Sequence, residues 1–269
     1  MSEMAERWRT VTADDGCAIA VRESGSENGP AVLLVHALAM DASQWDGVIA
    51  ALDGAARVLA LDCRGHGRSG KPVGPYTDER FARDIATVLD VCASNRAVVA
   101  GCSMGGTVAQ RFAGRNPDRL AGLLLLDTTC WYGPEAPANW EQRASKAERE
   151  GMASLLEFQL ERWFTPGFGK AHPEVVERAV EIFLRNDTAA YGATCRMLGA
   201  ADERAVIRNF SGPAIVAVGE EDYATPLSMA KELAAAIPAS SLRVIESARH
   251  FTPFEQPGVI AGFIRELLR

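Results

Sequence analysis

The sequence predicts an α/β protein with a mostly parallel central sheet and helices on both faces of that sheet. Short apolar segments alternate along the chain with amphipathic helical segments, which is the pattern of a parallel sheet between two helical layers. The apolar segments are rich in Val, Leu, Ile and Ala and show little polar alternation, as strands buried on both faces do. Residues 127–213 carry no strand pattern, and this interval predicts an all-helical insertion.

The predicted sheet opens with an antiparallel hairpin, because two extended segments flank the turn sequence Asp14-Asp15-Gly16. These segments are Trp8–Thr12 and Cys17–Glu23. The buried strands follow in chain order at Ala31–Val35, Val58–Leu61, Ala97–Gly101, Gly122–Leu126, Ala214–Gly219 and Leu242–Ile245. The connecting helices are predicted at Thr77–Ala93, Gly105–Arg115, Pro226–Ala236 and Gln256–Leu268.

The insertion contains three predicted helices, at Asn139–Phe164, Pro173–Arg185 and Thr188–Ala201. Open α/β sheets bind ligands at the edge where the C-termini of the strands lie, and an insertion between two strands most simply covers that edge. We therefore predict a core formed by residues 1–127 and 212–269 and a helical cap formed by residues 128–211. The alternative is a separate helical domain, but no Pro/Gly/Ser-rich linker marks its borders.

Composition and charge disfavour several classes of function. The chain has 269 residues and a formal net charge of −7, which argues against binding to nucleic-acid phosphates or to an anionic membrane surface. Six cysteines form no Cys-x-x-Cys pair and the first residues form no apolar signal segment, so we expect reduced thiols and a cytoplasmic location. The expected partner is a small-molecule substrate. The sequence leaves the oligomeric state open, with a homodimer as one alternative.

A candidate nucleophile, Ser103, lies in the sequence Gly101-Cys102-Ser103-Met104-Gly105. This Gly-x-Ser-x-Gly pattern directly follows a predicted strand and directly precedes a predicted helix. A strand-to-helix turn this sharp exposes the serine hydroxyl at the sheet edge, and the flanking glycines remove side chains that would collide in the turn. The helix N-terminus then offers free N–H groups to an oxyanion.

A serine nucleophile needs a base, and the chain has four histidines. His250 follows the last predicted strand, in a loop at the same sheet edge as Ser103, and we predict that it is the base. His36 ends the first buried strand, and we predict that it supports the adjacent loop and borders the substrate pocket. We expect His66, in a glycine-rich turn, and His172, before a helix-starting proline, to be solvated.

An acid must orient the histidine, and four acidic residues after predicted strands are candidates: Asp127, Glu220, Glu221 and Asp222. We favour Asp222, because it stands where the buried strand Ala214–Gly219 would deliver an acid to the sheet edge. The chain order Ser103, Asp222, His250 is also the nucleophile–acid–histidine order of α/β-hydrolases. Asp127 remains the main alternative.

From end to end, the sequence resembles the α/β-hydrolase superfamily. The resemblance rests on the Ser103 turn, on the two later acid and histidine turns, and on the segments Leu34-Val35-His36-Ala37-Leu38 and Asp62-Cys63-Arg64-Gly65-His66-Gly67-Arg68-Ser69. Within the superfamily, the chain is most similar to 3-oxoadipate enol-lactonases. Segments spread along the chain carry this similarity: Gly101–Gly106, Trp131–Glu135, Glu161–Pro166, Ala200–Asp202 and Leu233–Pro238.

The resemblance implies roles for five residues. Ser103 is the implied nucleophile, His250 the base and Asp222 the orienting acid, and the backbone N–H groups of Met104 and Leu38 form the implied oxyanion hole. The implied reaction is hydrolysis of an ester or lactone of a small organic molecule through an acyl-enzyme. Three alternatives use the same residues: a C–C bond hydrolase of ring-cleavage products, a cofactor-free haloperoxidase or perhydrolase, and a non-enzymatic small-molecule receptor.

The predicted substrate pocket is lined by His36, Trp131, Tyr132 and Trp163. Two positions depart from the enol-lactonase pattern. That group carries Asn-Ser where this chain has His36-Ala37, and it tends to carry an arginine, suited to a substrate carboxylate, where this chain has Trp131. An indole offers a single neutral donor and cannot supply a cationic partner, and an unpaired charge in a capped pocket is unfavourable. We therefore predict a neutral or only partly anionic substrate packed against Trp131.

No cofactor and no metal are expected. Gly65, Gly67 and Gly70 have the spacing of a dinucleotide fingerprint, and Lys71 nearly completes a P-loop. Pro72 stands where a P-loop needs Ser or Thr, and neither pattern opens directly into a helix. The segment is therefore predicted to be a tight turn.

Overall fold

The computed structural model describes residues 3–92 and 95–269, which form an eight-stranded sheet flanked by helices. The strand order is β1-β2-β4-β3-β5-β6-β7-β8. β2 is antiparallel to both β1 and β4, and the remaining neighbours are parallel. The strands are β1 Glu3–Thr12, β2 Ala18–Ser26, β3 Ala31–Val35, β4 Arg57–Leu61, β5 Ala97–Cys102, β6 Leu120–Leu126, β7 Ala214–Gly219 and β8 Ser240–Ile245.

The sheet confirms the predicted fold class, since every predicted strand is present within a few residues of its predicted ends. All six residues of β5 are buried, as are all six of β7, because helices cover both faces of the sheet centre. β8 lies at the sheet edge and is half-exposed along most of its length. The carboxyl ends of β5, β7 and β8 therefore point to one rim of a rigid, buried platform.

Outside the insertion, the described residues form six α-helices: α1 Asp46–Leu52, α2 Asp78–Val91, α3 Met104–Arg115, α9 Leu227–Ala236, α10 Thr252–Glu255 and α11 Pro257–Leu267. The short helices α1 and α10 were not predicted. Thr77 caps α2, where its hydroxyl accepts a hydrogen bond from the backbone N–H of Arg80 at 3.2 Å. The predicted last residue of this helix, Ala93, lies outside the described residues.

Five further α-helices lie between β6 and β7: α4 Ala136–Glu150, α5 Leu156–Trp163, α6 Pro166–Ala171, α7 Pro173–Leu184 and α8 Thr188–Ala200. The prediction of one continuous helix over Asn139–Phe164 is wrong. Gly151 adopts φ +80°, which ends α4, and a 3₁₀ turn at Met152–Leu155 redirects the chain into α5. The sequence interpretation also missed α6, which Thr165 caps by accepting from the N–H of Phe168.

A short backbone bridge closes the base of the insertion. Trp131 pairs with Asp202 in an isolated antiparallel bridge, and the N–H of Glu203 donates to the carbonyl of Cys130 at 2.8 Å. The predicted cap boundaries at residues 128 and 211 stay a prediction. Among the described residues, no helix is long and apolar enough to cross a membrane.

Candidate active site

The turn that carries Ser103 is backbone-strained and sterically tight. Ser103 has φ +52° and ψ −113°, and it joins β5 directly to α3. A Cβ atom at Gly101 would lie 2.3 Å from the carbonyl oxygen of Gly105, and one at Gly105 would lie 2.2 Å from the carbonyl oxygen of Val35. Only glycine fits at both positions, so the sequence allows the sharp turn that raises the Ser103 hydroxyl above the strand.

His250 brings its imidazole to Ser103 from the loop after β8. The Nε2 atom of His250 lies 2.9 Å from Oγ of Ser103, and the Nδ1 atom lies 2.8 Å from Oδ2 of Asp222. All three residues are at most 8% exposed. The structure thus brings the three residues into one hydrogen-bonded series, which is called the candidate triad below.

Asp222 is held by the turn after β7. Its Oδ1 atom accepts hydrogen bonds from the N–H groups of Ala224 and Thr225, and its Oδ2 atom accepts from the Thr225 hydroxyl at 2.8 Å as well as from the imidazole. The two competing glutamates, Glu220 and Glu221, are exposed at the surface. Asp222 is therefore fixed in a single orientation toward the histidine.

Asp127 is fully buried close to the triad but binds different partners. Its Oδ1 atom accepts from the N–H of Gly219 at 3.0 Å, and its Oδ2 atom accepts from both the N–H and the hydroxyl of Thr252. Burial and the negative charge of Asp222 raise the pKa of Asp127 to about 8. The carboxylate therefore ties the end of β7 to the loop that carries His250.

Pairing sets the pKa directions within the candidate triad. Burial alone lowers the pKa of His250, but the charge of Asp222 and its hydrogen bond raise it by more, so the net pKa is above the ordinary value of 6.5. For Asp222, burial acts to raise the pKa, while the charge and hydrogen bond of His250 and the Thr225 hydrogen bonds outweigh burial and lower it. Both shifts favour the ion pair that forms when His250 takes up a proton.

The loop after β3 carries Leu38 and is braced from below. The buried ring of His36 accepts a hydrogen bond at Nε2 from the N–H of Cys63 and lies 2.8 Å from the Ala37 carbonyl through Nδ1. The side-chain oxygen of Gln44 accepts from the N–H of Ala37 at 2.7 Å. These bonds hold the backbone of Leu38 at the rim beside Ser103, where both residues border the same cavity.

That cavity has a volume of about 500 Å³ and contains Ser103 and His250 in its wall. Tyr132 and Trp163 also lie in the wall, as do Trp140 and Phe158 of the helices above. Trp163 is only 2% exposed, because it stacks on Phe251 at 5.0 Å between ring centroids. It therefore serves both as cavity wall and as core.

Three cations line this cavity: Arg143 and Lys146 on α4 and Arg162 on α5. Within residues 3–92 and 95–269, no carboxylate lies within 4.0 Å of any of them. The ring of Phe158 lies between the two guanidinium groups, 5.0 Å from that of Arg143 and 3.9 Å from that of Arg162. Burial and the nearby charge of Arg143 lower the pKa of Arg162.

Three predictions about individual side chains are wrong. Trp131 is outside the cavity wall, because its backbone bridges Asp202 and the Arg204 guanidinium covers its ring at 3.8 Å. His36 is completely buried below the loop and does not border the cavity. His66 is also completely buried rather than solvated, and burial lowers its pKa to about 3. His172, by contrast, is exposed as expected.

The sequence interpretation missed the cationic wall. None of its three cations, Arg143, Lys146 and Arg162, was predicted to line the substrate pocket. One signal was available, since Trp140, Arg143 and Lys146 follow one another at three-residue spacing and so share a helix face. Which face looks into the cavity depends on how α4 packs, and that packing is not visible in the sequence.

The comparisons with known proteins identify the class of protein. The sequence model of the α/β hydrolase fold matches residues 30–257. The chain therefore belongs to the α/β-hydrolase fold family, as its motifs predict.

Within that family the chain is similar to 3-oxoadipate enol-lactonases. It is 33% identical over 248 residues to 3-oxoadipate enol-lactonase 2 of Acinetobacter baylyi, covering 92% of this chain and 91% of the relative. The solved structure of an enol-lactonase from Burkholderia xenovorans matches with a TM-score of 0.92 and 32% identity, over 97% of this chain and 99% of that one. A thermophilic esterase from Thermogutta terrifontis matches with a TM-score of 0.90 and 32% identity, over 98% of each chain. The predicted similarity and the predicted hydrolase class are confirmed.

Proposed function

We propose that the chain is a serine hydrolase that cleaves an ester or lactone of a small organic acid through an acyl-enzyme. One observation carries this proposal: the series from Ser103 Oγ through His250 to Asp222, with contacts of 2.9 and 2.8 Å, lies at the wall of a cavity of small-molecule size. The similarity to enol-lactonases and to an esterase supports the same reaction class.

The proposed reaction has two halves. Ser103 Oγ attacks the carbonyl carbon while His250 Nε2 takes the hydroxyl proton, and the resulting oxyanion accepts hydrogen bonds from the N–H groups of Leu38 and Met104. Collapse breaks the bond to the leaving-group oxygen, which receives the proton from His250. Water then attacks the acyl carbon as His250 removes its proton, and Ser103 leaves with that proton. Asp222 stabilises the imidazolium in both halves.

We further propose that the substrate carries a carboxylate, which replaces the sequence-based expectation of a neutral substrate. Arg143, Lys146 and Arg162 form a cationic wall on a chain whose net charge is −7, and the positive charges repel one another unless an anion lies between them. A carboxylate can accept two parallel hydrogen bonds from a guanidinium, which fixes the orientation of a bound acid. A monoanionic enol-lactone, as the names of the relatives suggest, has this chemistry.

The test compares a monoanionic lactone or half-ester with its methyl ester as substrates. We expect wild type to prefer the acid, and Arg162→Gln to lower kcat/KM for the acid by about tenfold or more while leaving the methyl ester nearly unchanged. Arg196→Gln is the matched control, because Arg196 forms exposed ion pairs with Glu141 and Glu148 outside the cavity wall. Equal kcat/KM values for acid and ester in wild type would overturn the carboxylate proposal.

The same substrates separate the rival activities. A burst of one leaving group per site followed by turnover supports the acyl-enzyme hydrolase. Activity restricted to carbon–carbon bonds would point to a ring-cleavage hydrolase, and acceleration only with added peroxide would point to a perhydrolase. A single modification of Ser103 without turnover would point to a receptor. The Ser103→Ala protein is the blank for every assay.

A further inference from the structure

A second cleft, of about 440 Å³, lies away from the candidate triad. It opens between α7 of the insertion, the loops after β3 and β4, and the first two strands. Among the described residues, the two cavities share no lining side chain. Five cations line the cleft: Arg22, Arg68, Lys71, Arg178 and Arg185.

The carboxylates near this cleft only partly neutralise its cations. Asp46 serves two guanidiniums, because its Oδ1 atom lies 2.6 Å from Arg22 and its Oδ2 atom 2.8 Å from Arg178. Arg185 is 3.9 Å from Asp41, at the limit of an ion pair. Two more carboxylates, those of Glu6 and Asp62, border the cleft.

Glu6 is largely exposed to solvent, and the carboxylate of Asp62 already accepts hydrogen bonds from the backbone. Glu6 lies 3.9 Å from Arg22, and its side chain is 58% exposed. Asp62 is buried and accepts hydrogen bonds from the backbone N–H groups of Ala42 and Arg68. The cleft therefore retains positive charge that the protein itself does not pair.

Several donors are available to a ligand in this cleft. The guanidinium of Arg68 lies 4.2 Å from the ring centroid of Trp8. In the described part of the chain, no carboxylate oxygen comes within 4.0 Å of the Arg68 guanidinium or the Lys71 ammonium group. The side chain of Arg22 is only 8% exposed. Its Nε atom is buried and has no hydrogen-bond partner among the described residues. A buried N–H without an acceptor is unfavourable, so the protein's own groups leave this side chain incompletely hydrogen-bonded.

We propose that this cleft binds a small multivalent oxyanion, such as phosphate or a di- or tricarboxylate. The anion bridges Arg68 and Lys71 of the β4 loop to Arg178 and Arg185 of α7. Charge-assisted hydrogen bonds to several oxygens relieve the repulsion between the two cationic walls. A monovalent anion has too little charge to bridge both walls.

Such a bridge would strengthen the contact between α7 and the loop beside the active site. The side-chain amide of Asn186, just after α7, donates to the carbonyl of Ala39 at 2.9 Å, one residue after Leu38. Ala39 has φ +61°, a conformation that needs support from its surroundings. Anion binding should therefore raise the unfolding temperature of the full chain.

The test is isothermal titration of the full chain with inorganic phosphate and, separately, with citrate, at constant ionic strength set by sodium chloride. Arg68→Gln/Lys71→Gln removes two exposed charges from the cleft, and Arg208→Gln/Lys231→Gln removes the same two residue types from exposed positions outside both cavities. We expect wild type and the second variant to bind alike, and the first variant to bind at least about tenfold more weakly. Tighter binding of phosphate or of citrate identifies the source of the oxyanion.

Two results would overturn the proposal: no binding of either anion to wild type, or equal binding of both anions to wild type and to Arg68→Gln/Lys71→Gln. Should Arg68→Gln/Lys71→Gln fail to fold, Arg185→Gln on the opposite wall is expected to show the same loss of affinity. The readout is binding, so failure here leaves the proposed hydrolysis untouched, and failure of the hydrolysis assay leaves this site untouched.

Discussion

At the scale of single residues, two buried aspartates near His250 differ in what they bind. Asp222 accepts a hydrogen bond from the imidazole, whereas Asp127 accepts from Gly219 and Thr252. Chain order does not separate them, because both lie between Ser103 and His250 in the sequence, both come after a buried strand and both reach the same sheet edge. The hydrogen-bond partners of each aspartate depend on the backbone conformation of the turn that follows its strand. The local sequence does not determine that conformation.

We predict that Asp222→Asn lowers kcat by about 10⁴-fold, because an amide there stabilises the wrong imidazole tautomer. Asp127→Asn should retain most of the activity per folded molecule but unfold at a lower temperature, because two of its bonds hold the His250 loop. Steady-state kinetics and thermal unfolding of the two variants check this. Severe loss of kcat in Asp127→Asn with near-normal kcat in Asp222→Asn would mean that Asp127 is the acid.

The pH dependence of catalysis should reflect the raised pKa of His250. The base must be neutral to act, so kcat/KM falls as the pH drops through that pKa, and a raised pKa moves the fall to higher pH. Asp222 and Asp127 raise the pKa of His250, and burial and Arg162 oppose them. A pH–rate profile should therefore have its acid midpoint above about 6.5, the ordinary histidine value. A profile that stays flat down to pH of about 4 would rule out histidine as the base.

At the scale of elements, close approach of α3 to the sheet creates the site. Gly101 and Gly105 allow that approach, and both were recognisable because the Gly-x-Ser-x-Gly pattern lies between an apolar run and a helical pattern. The break at Gly151 was not recognised, because one glycine in a long helical pattern is tolerated elsewhere. Its positive φ arises where α4 ends and the chain turns toward α5, which is a tertiary constraint.

The same substitution in two helices should have opposite effects on stability. Gly105→Ala places a Cβ atom 2.2 Å from the carbonyl oxygen of Val35, so we expect a loss of more than about 3 kcal/mol or failure to fold. Gly262→Ala in α11 meets no atom within 4 Å and should stabilise the chain by about 0.5 kcal/mol. Urea unfolding of both variants measures these values. Equal effects would show that α3 does not pack as tightly on β3 as described.

At the scale of the whole molecule, the insertion and the sheet meet at His250. The N–H of Phe251 donates to the carbonyl of Trp163 at the end of α5, and Arg249 donates to the carbonyls of Glu161 and Phe164. Helix α5 thereby supports the loop that carries the base and also supplies Arg162 to the cavity. The sequence predicted the sheet and the insertion correctly, because buried strands have a strong apolar pattern. The charge of the cavity was not predictable, because it depends on which faces of α4 and α5 turn inward.

The proposed hydrolysis requires that Ser103 becomes acylated during turnover. The most direct measurement is the intact mass of the protein, quenched within milliseconds of mixing with a slowly hydrolysed ester, followed by peptide mapping. We expect an added mass equal to the acyl group on the peptide containing Ser103. This adduct should be absent in Ser103→Ala and should accumulate with the initial burst of leaving group. Full turnover of the ester with no adduct at any time, or with the adduct on another residue, would contradict the proposed acylation of Ser103.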